Sequence, residues 1–112
     1  KLAQMEVDLA ALEMTELRVL ARASAGKGPG PESTLLKIRG TEIQQRLTEL
    51  FVEAVGNYAL PFPRGLGDNE FAVGPDYAQN VAPIYYNWRK VSIFGGSNEI
   101  QRNIIAKMVL GL

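Results

Sequence analysis

The amino-acid sequence predicts an all-α fold, an antiparallel helical bundle, from three observations. Two long segments repeat apolar residues at the three- and four-residue spacing of one helix face. Glycine and proline residues cluster at 26–31 and again between 57 and 79, where they interrupt that spacing. The alternating pattern of a β-strand is weak throughout. The 112 residues suffice for one domain, which we expect to span 1–112.

The composition is typical of a globular protein and excludes several functions. Hydrophobic residues make up 46% of the chain. The 12 basic residues balance the 12 acidic ones, so the chain has no excess of positive charge of the kind that binds nucleic acid. Cysteine and histidine are both absent, which excludes disulfides, thiolate metal sites and a Ser-His-Asp triad. No apolar run reaches the roughly 20 residues of a membrane-spanning helix. We therefore expect no metal, no nucleic-acid partner and no membrane span.

The first helix is predicted from about Leu2 to Ala25. Its apolar residues are spread widely around the helix, which predicts that it buries more than one face. These residues are Met5, Val7, Leu9, Leu12, Met14, Leu17, Leu20 and Ala21. The chain starts at Lys1 inside this pattern, with no capping residue and no signal sequence, so we expect a fragment of a longer chain.

The second helix is predicted from near Glu32 to Val55. Pro31 suits a first helical turn, and Gly56-Asn57 can adopt the left-handed conformation that ends a helix. Its apolar stripe is Leu36, Ile43, Leu47, Leu50, Phe51 and Ala54. Gly40 lies within this helix, where a glycine often marks the close crossing of another helix. The short connection before it predicts that the first two helices are antiparallel.

The rest of the chain is predicted to be less regular. Residues 57–79 form a long loop that aromatic side chains are expected to pin to the helices; these are Tyr58, Phe62, Phe71 and Tyr77. A short helix is predicted from about Pro83 to Lys90, and a last helix from near Ser97 or Asn98. That helix is expected to turn its apolar residues inward, namely Ile100, Ile104, Ile105, Met108 and Val109.

The most informative motif is Gly95-Gly96-Ser97, directly before the last helix. Glycine allows a close approach to a ligand. The N–H groups at a helix start point outward with the positive end of the dipole, which suits a phosphate, a carboxylate or a polarised carbonyl. The residues alone leave open an anion-binding turn and a purely structural cap, in which Asn98 and Gln101 form a capping box. Glu99 is explained by the dipole alone.

Other chemically active residues are weaker candidates. With histidine absent, carboxylates are the only candidates for a general base, and those of the first two helices are expected to form solvated faces. The cluster from Tyr85 to Lys90, Tyr-Tyr-Asn-Trp-Arg-Lys, fits a base-stacking platform or a packed helix with a charged rim. The neutral net charge favours the packed helix.

The string Gly96-Ser97-Asn98-Glu99-Ile100-Gln101-Arg102 resembles the C-terminal helix of flavin-dependent acyl-CoA dehydrogenases, which reads Gly-Thr-x-Glu-Ile-Gln-Arg there. Looser similarity covers most of the chain, and 86–99 is most similar to large subunits of the pimeloyl-CoA dehydrogenase type. The resemblance implies the C-terminal helical bundle domain of an enzyme that oxidises an acyl-CoA to a trans-2-enoyl-CoA. Removal of the substrate α-proton accompanies hydride transfer to FAD. The fragment alone is expected to be inactive.

The resemblance implies two sets of cofactor contacts. Gly96, Ser97, Asn98 and Glu99 are expected to lie beside FAD. Glu53, Gly56 and Asn57 match a Gln-x-x-Gly-Gly turn that approaches the FAD of a neighbouring subunit. Glu53 and Asn57 depart from that pattern, as Lys90 departs from an acidic residue common after Arg89.

The resemblance also implies a role for Gly95. This glycine stands where many members carry the catalytic glutamate, so we expect no catalytic residue in this segment. Glu99 lies four residues too late to replace that glutamate. The resemblance leaves two possibilities: the base lies upstream of Lys1, as we expect, or this subunit is catalytically deficient and pairs with a competent partner. Gly95 is expected to bind substrate by donating its N–H to the thioester carbonyl, where enolate charge develops.

Partners follow from the same resemblance. It implies an acyl-CoA substrate, an electron-transfer flavoprotein as electron acceptor, and a homo- or hetero-oligomer of two or four subunits. It implies the bacterial cytoplasm or the mitochondrial matrix as the compartment. Two alternatives stay open. One is a stand-alone helical interaction module that uses the first helix as a partner groove, and the other is an acyl-CoA oxidase with oxygen as acceptor.

Overall fold

The computed structural model describes residues 1–28, 30–62 and 73–112. Four α-helices are present in these residues: α1 (Leu2–Ser24), α2 (Pro31–Val55), α3 (Val81–Trp88) and α4 (Asn98–Ile105). Short 3₁₀ helices occupy Gly56–Ala59, Asp76–Ala78 and Arg89–Ser92, and α4 continues as a π-helical turn over Ala106–Leu110. None of these residues forms a β-strand. The prediction of an all-α fold is confirmed.

The predicted helix bounds agree closely with the structure, apart from α3. Pro31 is the first residue of α2, and Gly56 ends that helix with a left-handed φ of 62°. The third helix begins at Val81, two residues before its predicted start at Pro83. Proline lacks an N–H, but the N–H groups of a first helical turn have no intrahelical acceptor, so Pro83 is tolerated inside that turn.

One compact unit comprises Lys1–Ile43 and Val91–Leu112. In this unit α1 and the beginning of α2 are antiparallel, as predicted. Arg22, in the last turn of α1, pairs with Glu32, in the first turn of α2, at 2.8 Å. Asp8, near the other end of α1, lies 3.6 Å from Arg39. Each charge of the first pair also suits the dipole of its own helix.

The apolar face of α1 is mostly exposed, so the prediction that it buries more than one face is wrong. Met5 is its one buried residue. Five apolar side chains are 51% to 62% exposed, namely Val7, Leu9, Met14, Leu17 and Leu20. Hydrophobic spacing identifies residues that share a helix face, but it does not show whether the same chain supplies a surface to cover that face.

The prediction for the apolar residues of the last helix is wrong for the same reason. Four of the five residues expected to turn inward are 37% to 59% exposed, namely Ile100, Ile104, Met108 and Val109. Ile105 is half-buried. The buried residues of this unit lie elsewhere and are Met5, Ile38, Ile43, Val91 and Asn98.

The second compact unit comprises Gln44–Lys90. Among its described residues, Arg89 makes several hydrogen bonds to α2. Its guanidinium donates to the Gln45 carbonyl at 2.7 Å, to the Thr48 hydroxyl at 2.6 Å and to the Glu49 carboxylate at 2.7 Å. It also lies 4.4 Å from the centre of the Tyr85 ring. These bonds tie the end of α3 to α2, which supports the packed-helix interpretation of this cluster.

The aromatic residues of 57–79 differ in whether their rings pack against other residues. The Tyr58 ring packs against Gly74, where a Cβ atom would collide with it and where φ is 86°. The Phe62 ring centre lies 6.2 Å from that of Tyr86 in α3. Tyr77 is 75% exposed, so its predicted packing is wrong. The prediction for Phe71 lies outside the described residues.

Gly40 tests whether the helix crossing at α2 requires a glycine. A Cβ atom built on Gly40 meets Leu12 Cδ2 of α1 at 4.0 Å, which is ordinary van der Waals contact. We therefore expect Gly40→Ala to raise the free energy of unfolding by about 0.5–1 kcal/mol, because alanine has the higher helix propensity. Urea denaturation measures the change.

A matched glycine provides the control for that experiment. Gly56 has a positive φ of 62°, and Gly56→Ala should lower the free energy of unfolding by about 1–2 kcal/mol because the left-handed region strains an L side chain. Destabilisation by Gly40→Ala of the same size would show that α1 and α2 do need a glycine at their crossing.

Candidate functional site

The segment Gly95-Gly96-Ser97 forms a turn with two consecutive left-handed residues, and we call it the glycine turn. The φ angles of Gly95 and Gly96 are 67° and 85°. Ser97 then takes an extended conformation, and α4 begins at Asn98. Only glycine adopts two such conformations in a row without strain, so the backbone path explains both glycines.

Ser97 caps α4, and the predicted capping box between Asn98 and Gln101 is wrong. The Ser97 hydroxyl accepts a hydrogen bond from the Ile100 N–H at 3.5 Å. Asn98 is the first helical residue and points its side chain into the protein, where it is 6% exposed. The Gln101 amide instead donates to the Gly95 carbonyl at 3.3 Å. The cap therefore lies one residue earlier than the capping box requires.

The two glycines differ in the space around them. A Cβ atom at Gly96 would lie 2.7 Å from the Gln101 side-chain nitrogen, whereas a Cβ atom at Gly95 meets nothing within 4 Å. Within the described part of the chain, the N–H groups of Gly95, Gly96 and Ser97 donate to no acceptor. The turn therefore presents backbone donors that a ligand can use, with open space at Gly95.

Glu99 has a lowered pKa. The main cause is a hydrogen bond from its own backbone N–H, followed by one from the Ser97 hydroxyl, with smaller contributions from the positive charges of Arg102 and Lys37. These causes favour the ionised carboxylate, and desolvation opposes them by a smaller amount than the two hydrogen bonds. A lowered pKa makes Glu99 a weaker proton acceptor than an ordinary glutamate.

A half-buried polar network beside the turn contains two residues that the sequence pattern did not single out, Lys37 and Thr41. Lys37 Nζ donates to Asn98 Oδ1 at 2.8 Å and to the Ser92 carbonyl at 3.3 Å. The Thr41 hydroxyl accepts from Asn98 Nδ2 at 3.1 Å. The signal available in the sequence was the four-residue spacing of Lys37 and Thr41, which places them on one face of α2.

A second set of side chains joins α4 to α2 at the surface. Arg102 lies 3.0 Å from one oxygen of Glu42, and Arg39 lies 2.8 Å from the other. These groups are 33% to 59% exposed, so water and salt screen them and each pair contributes little to stability. The network around Asn98 is less exposed to water, so its bonds are screened less than these ion pairs.

The other residues that the family resemblance singled out lie together at the end of α2, in the second unit. Glu53, Gly56 and Asn57 are all exposed, and Gly56 is left-handed. The structure therefore groups the predicted site residues into two sets. Gly95 to Glu99 form one set at the start of α4, and these three residues form the other.

Grooves in the first unit differ in size. One of about 300 Å³ lies where α1 ends and α2 begins and is lined by residues that include Arg22 and Glu32. Another, of 180 Å³, lies between α1 and α2 and is lined by residues that include Leu12, Leu36 and Arg39. Ligand pockets usually measure about 300–1,000 Å³, so this groove is too small for a dinucleotide.

No group of three metal-binding side chains occurs among the residues with described positions. A search of those same residues finds no helix with the length and apolar character needed to cross a membrane.

The fold and the turn together define a class of protein: a helical domain that presents unpaired backbone N–H groups from left-handed glycines at a helix start. Residues 1–110 match the family described as acyl-CoA dehydrogenase, C-terminal domain. The chain belongs to this family, and its fold class is the one predicted.

A curated relative agrees with this assignment. The chain is similar to acyl-CoA dehydrogenase IpdE1 of Mycobacterium tuberculosis (strain ATCC 25618 / H37Rv), with 38% identity over 84 residues. The match covers 75% of this chain and 19% of the relative, so the chain spans about a fifth of the length of that protein. No solved structure matches the chain significantly.

Proposed function

We propose that residues 1–112 are the C-terminal helical bundle domain of an FAD-dependent acyl-CoA dehydrogenase, which oxidises an acyl-CoA to a trans-2-enoyl-CoA. The observation that carries this proposal is the glycine turn, which has two left-handed glycines and unpaired N–H groups at the start of α4. Its residues lie in the part of the chain that matches the family. The electron acceptor we propose is an electron-transfer flavoprotein, and the protein is a dimer or tetramer.

The chemistry of the turn fits FAD. The Gly96 and Ser97 N–H groups have no acceptor among the described residues and would donate to the bound group, and the start of α4 would add the positive end of its dipole. A Cβ atom at position 96 would lie 2.7 Å from the Gln101 side-chain nitrogen, so a glycine fits best there. Asn98 would contribute its N–H, because its side chain is buried. When bound, FAD supplies the acceptor for the substrate hydride.

Two further details belong to the proposed cofactor site. The Glu99 carboxylate is held ionised by the Ser97 hydroxyl and its own N–H, so its proposed role is to order the turn beside FAD. Glu53, Gly56 and Asn57 provide a second proposed contact at the exposed end of α2, supported by the left-handed Gly56. Both departures from the family pattern there, Glu53 and Asn57, are exposed.

Gly95 is proposed to bind the substrate. Its N–H has no acceptor among the described residues, and the space above its Cα is open. A thioester carbonyl placed there would accept that N–H, and the bond would strengthen as negative charge develops on the oxygen. Because glycine carries no base and Glu99 has a lowered pKa, we propose that the base lies outside residues 1–112.

One observation favours the interaction module as the second candidate. The exposed apolar side chains of α1 form the kind of surface that docks a partner, and Leu9, Met14 and Leu20 are each more than half exposed. The same exposed face is expected in a dehydrogenase if other parts of its chain pack on α1. Cofactor content therefore separates the two functions better than the exposed face does.

The experiment uses the purified full-length protein. We expect the absorbance of bound flavin, bleaching of that absorbance when an acyl-CoA is added without oxygen, and recovery of the trans-2-enoyl-CoA. Residues 1–112 alone with added FAD and acyl-CoA should give no turnover. A full-length protein without flavin would support the interaction module, and turnover with rapid oxygen consumption would support the oxidase.

A further inference from the structure

A single lysine of α2 holds both ends of the segment that contains the glycine turn. Lys37 Nζ donates to the Ser92 carbonyl at 3.3 Å, three residues before Gly95. It also donates to Asn98 Oδ1 at 2.8 Å, directly after Ser97. One ammonium group therefore connects the residue where the segment begins to the residue where α4 starts.

Asn98 transmits this connection because both the oxygen and the nitrogen of its side-chain amide are hydrogen-bonded. The side chain is buried, and its amide nitrogen donates to the Thr41 hydroxyl at 3.1 Å while its oxygen accepts from Lys37. A buried amide that loses one of these partners pays the cost of an unmet hydrogen bond. The first residue of α4 is thus fixed in position by Lys37 and Thr41 together.

The glycines make such a fixation necessary. Gly95 and Gly96 have more accessible backbone conformations than any other residue, so the left-handed pair is not self-sustaining. Within the described residues, the side-chain bond to the two glycines is the one from the Gln101 amide to the Gly95 carbonyl, and Ser97 accepts from the Ile100 N–H. A ligand that binds through backbone N–H groups needs those groups held in place before it arrives.

We propose that Lys37 is a positioning residue for the glycine turn, acting through Asn98 and the Ser92 carbonyl, and that it thereby sets the affinity for FAD. This inference rests on the proposed function for its ligand and on the hydrogen bonds for its mechanism. Lys37 suits the task because its ammonium carries three donors on one nitrogen, so a single group can serve both the Ser92 carbonyl and Asn98 Oδ1.

Lys37→Met tests the proposal in the full-length protein, because it keeps the aliphatic stem and removes the donors. Without FAD, hydrogen exchange of the Ile100 and Gln101 amides, which donate to Ser97, should become about tenfold faster, while the amides of α1 keep their rates. With FAD, the dissociation constant should rise about tenfold, which corresponds to the loss of one charge-assisted hydrogen bond. Lys27→Met is the matched control, since Lys27 is exposed beyond the end of α1, and both readouts should stay unchanged.

A double variant tests the route through Asn98. If Lys37 acts through Asn98, the Lys37→Met, Asn98→Ala pair should bind FAD no more weakly than the worse single variant; factors that multiply would overturn the route. Unchanged exchange in Lys37→Met, or exchange that accelerates equally in α1, would overturn the positioning role. A wild-type protein that binds no FAD contradicts the proposed function instead, and the exchange measurement still decides whether Lys37 holds the turn.

Discussion

Exchange of the Gly95 amide for an ester is expected to lower kcat about 100-fold while FAD stays bound, a loss typical of removing one donor from an oxyanion site. The proposed role of Gly95 depends on its N–H alone. The ester replaces that N–H by an oxygen, adds no atom and leaves the φ of 67° accessible. Incorporation of glycolic acid at position 95 by nonsense suppression makes this change in the full-length protein.

The obvious alternative variant is less informative. Gly95→Pro also removes the N–H, but proline fixes φ near −65° and would break the left-handed turn. Its loss of activity would therefore report distortion as well as the missing donor. The ester avoids that ambiguity, and steady-state kinetics on an acyl-CoA with the flavin content measured in parallel gives the result.

Gly26 offers the control for the ester. It is also left-handed, with a φ of 71°, and its N–H bonds to the Ala23 carbonyl at the end of α1. The same exchange there removes a backbone donor from a left-handed glycine outside the proposed site, so kcat should not change. If the ester at Gly95 keeps full turnover with FAD bound, Gly95 does not donate to the substrate.

Arg89→Met is expected to lower the free energy of unfolding by about 2–3 kcal/mol. The substitution removes the bonds to the Gln45 carbonyl, to the Thr48 hydroxyl and to the Glu49 carboxylate. A charge-assisted hydrogen bond contributes about 1.5–3 kcal/mol. The total is smaller than the sum of three such bonds because the Glu49 carboxylate is 49% exposed and bonds to water when Arg89 is removed. Loss of the contact with the Tyr85 ring adds a smaller amount. Chemical denaturation followed by circular dichroism measures the change.

The neighbouring Lys90 serves as the control for Arg89. Lys90 is exposed, and Lys90→Met should change the free energy of unfolding by less than about 0.5 kcal/mol. Arg89→Lys should fall between the two, because lysine keeps the charge but loses the planar arrangement of donors. Equal effects of Arg89→Met and Lys90→Met would mean that the bonds from α3 to α2 contribute nothing.

The helices could be predicted from the sequence because their signals are local. The spacing of apolar residues, the proline at position 31 and the glycine at position 56 act within a few residues, and α1 and α2 lie where those signals place them. Burial is not local. The apolar pattern predicts burial for Leu9 and Met108, yet both are exposed in the structure. A sequence pattern carries no information about the surface that would cover them.

The glycine turn could also be predicted, but its support could not. Two glycines before a helix indicate an unusual backbone path, and the structure shows that path at Gly95 and Gly96. Lys37 and Asn98 are 61 residues apart in sequence, so no short motif links them. The capping-box alternative for Asn98 is wrong for the same reason, since only the fold reveals that its side chain bonds to Lys37.

The separation of Lys37 from its acceptors also bears on the order in which the chain folds. The contact between Arg22 and Glu32 closes a loop of 10 residues, whereas those from Lys37 to Ser92 and Asn98 span 55 and 61. Closing a longer loop costs more chain entropy, so contacts of that range form later. We therefore expect the α1–α2 hairpin to form first and the glycine turn to acquire its shape near the end of folding.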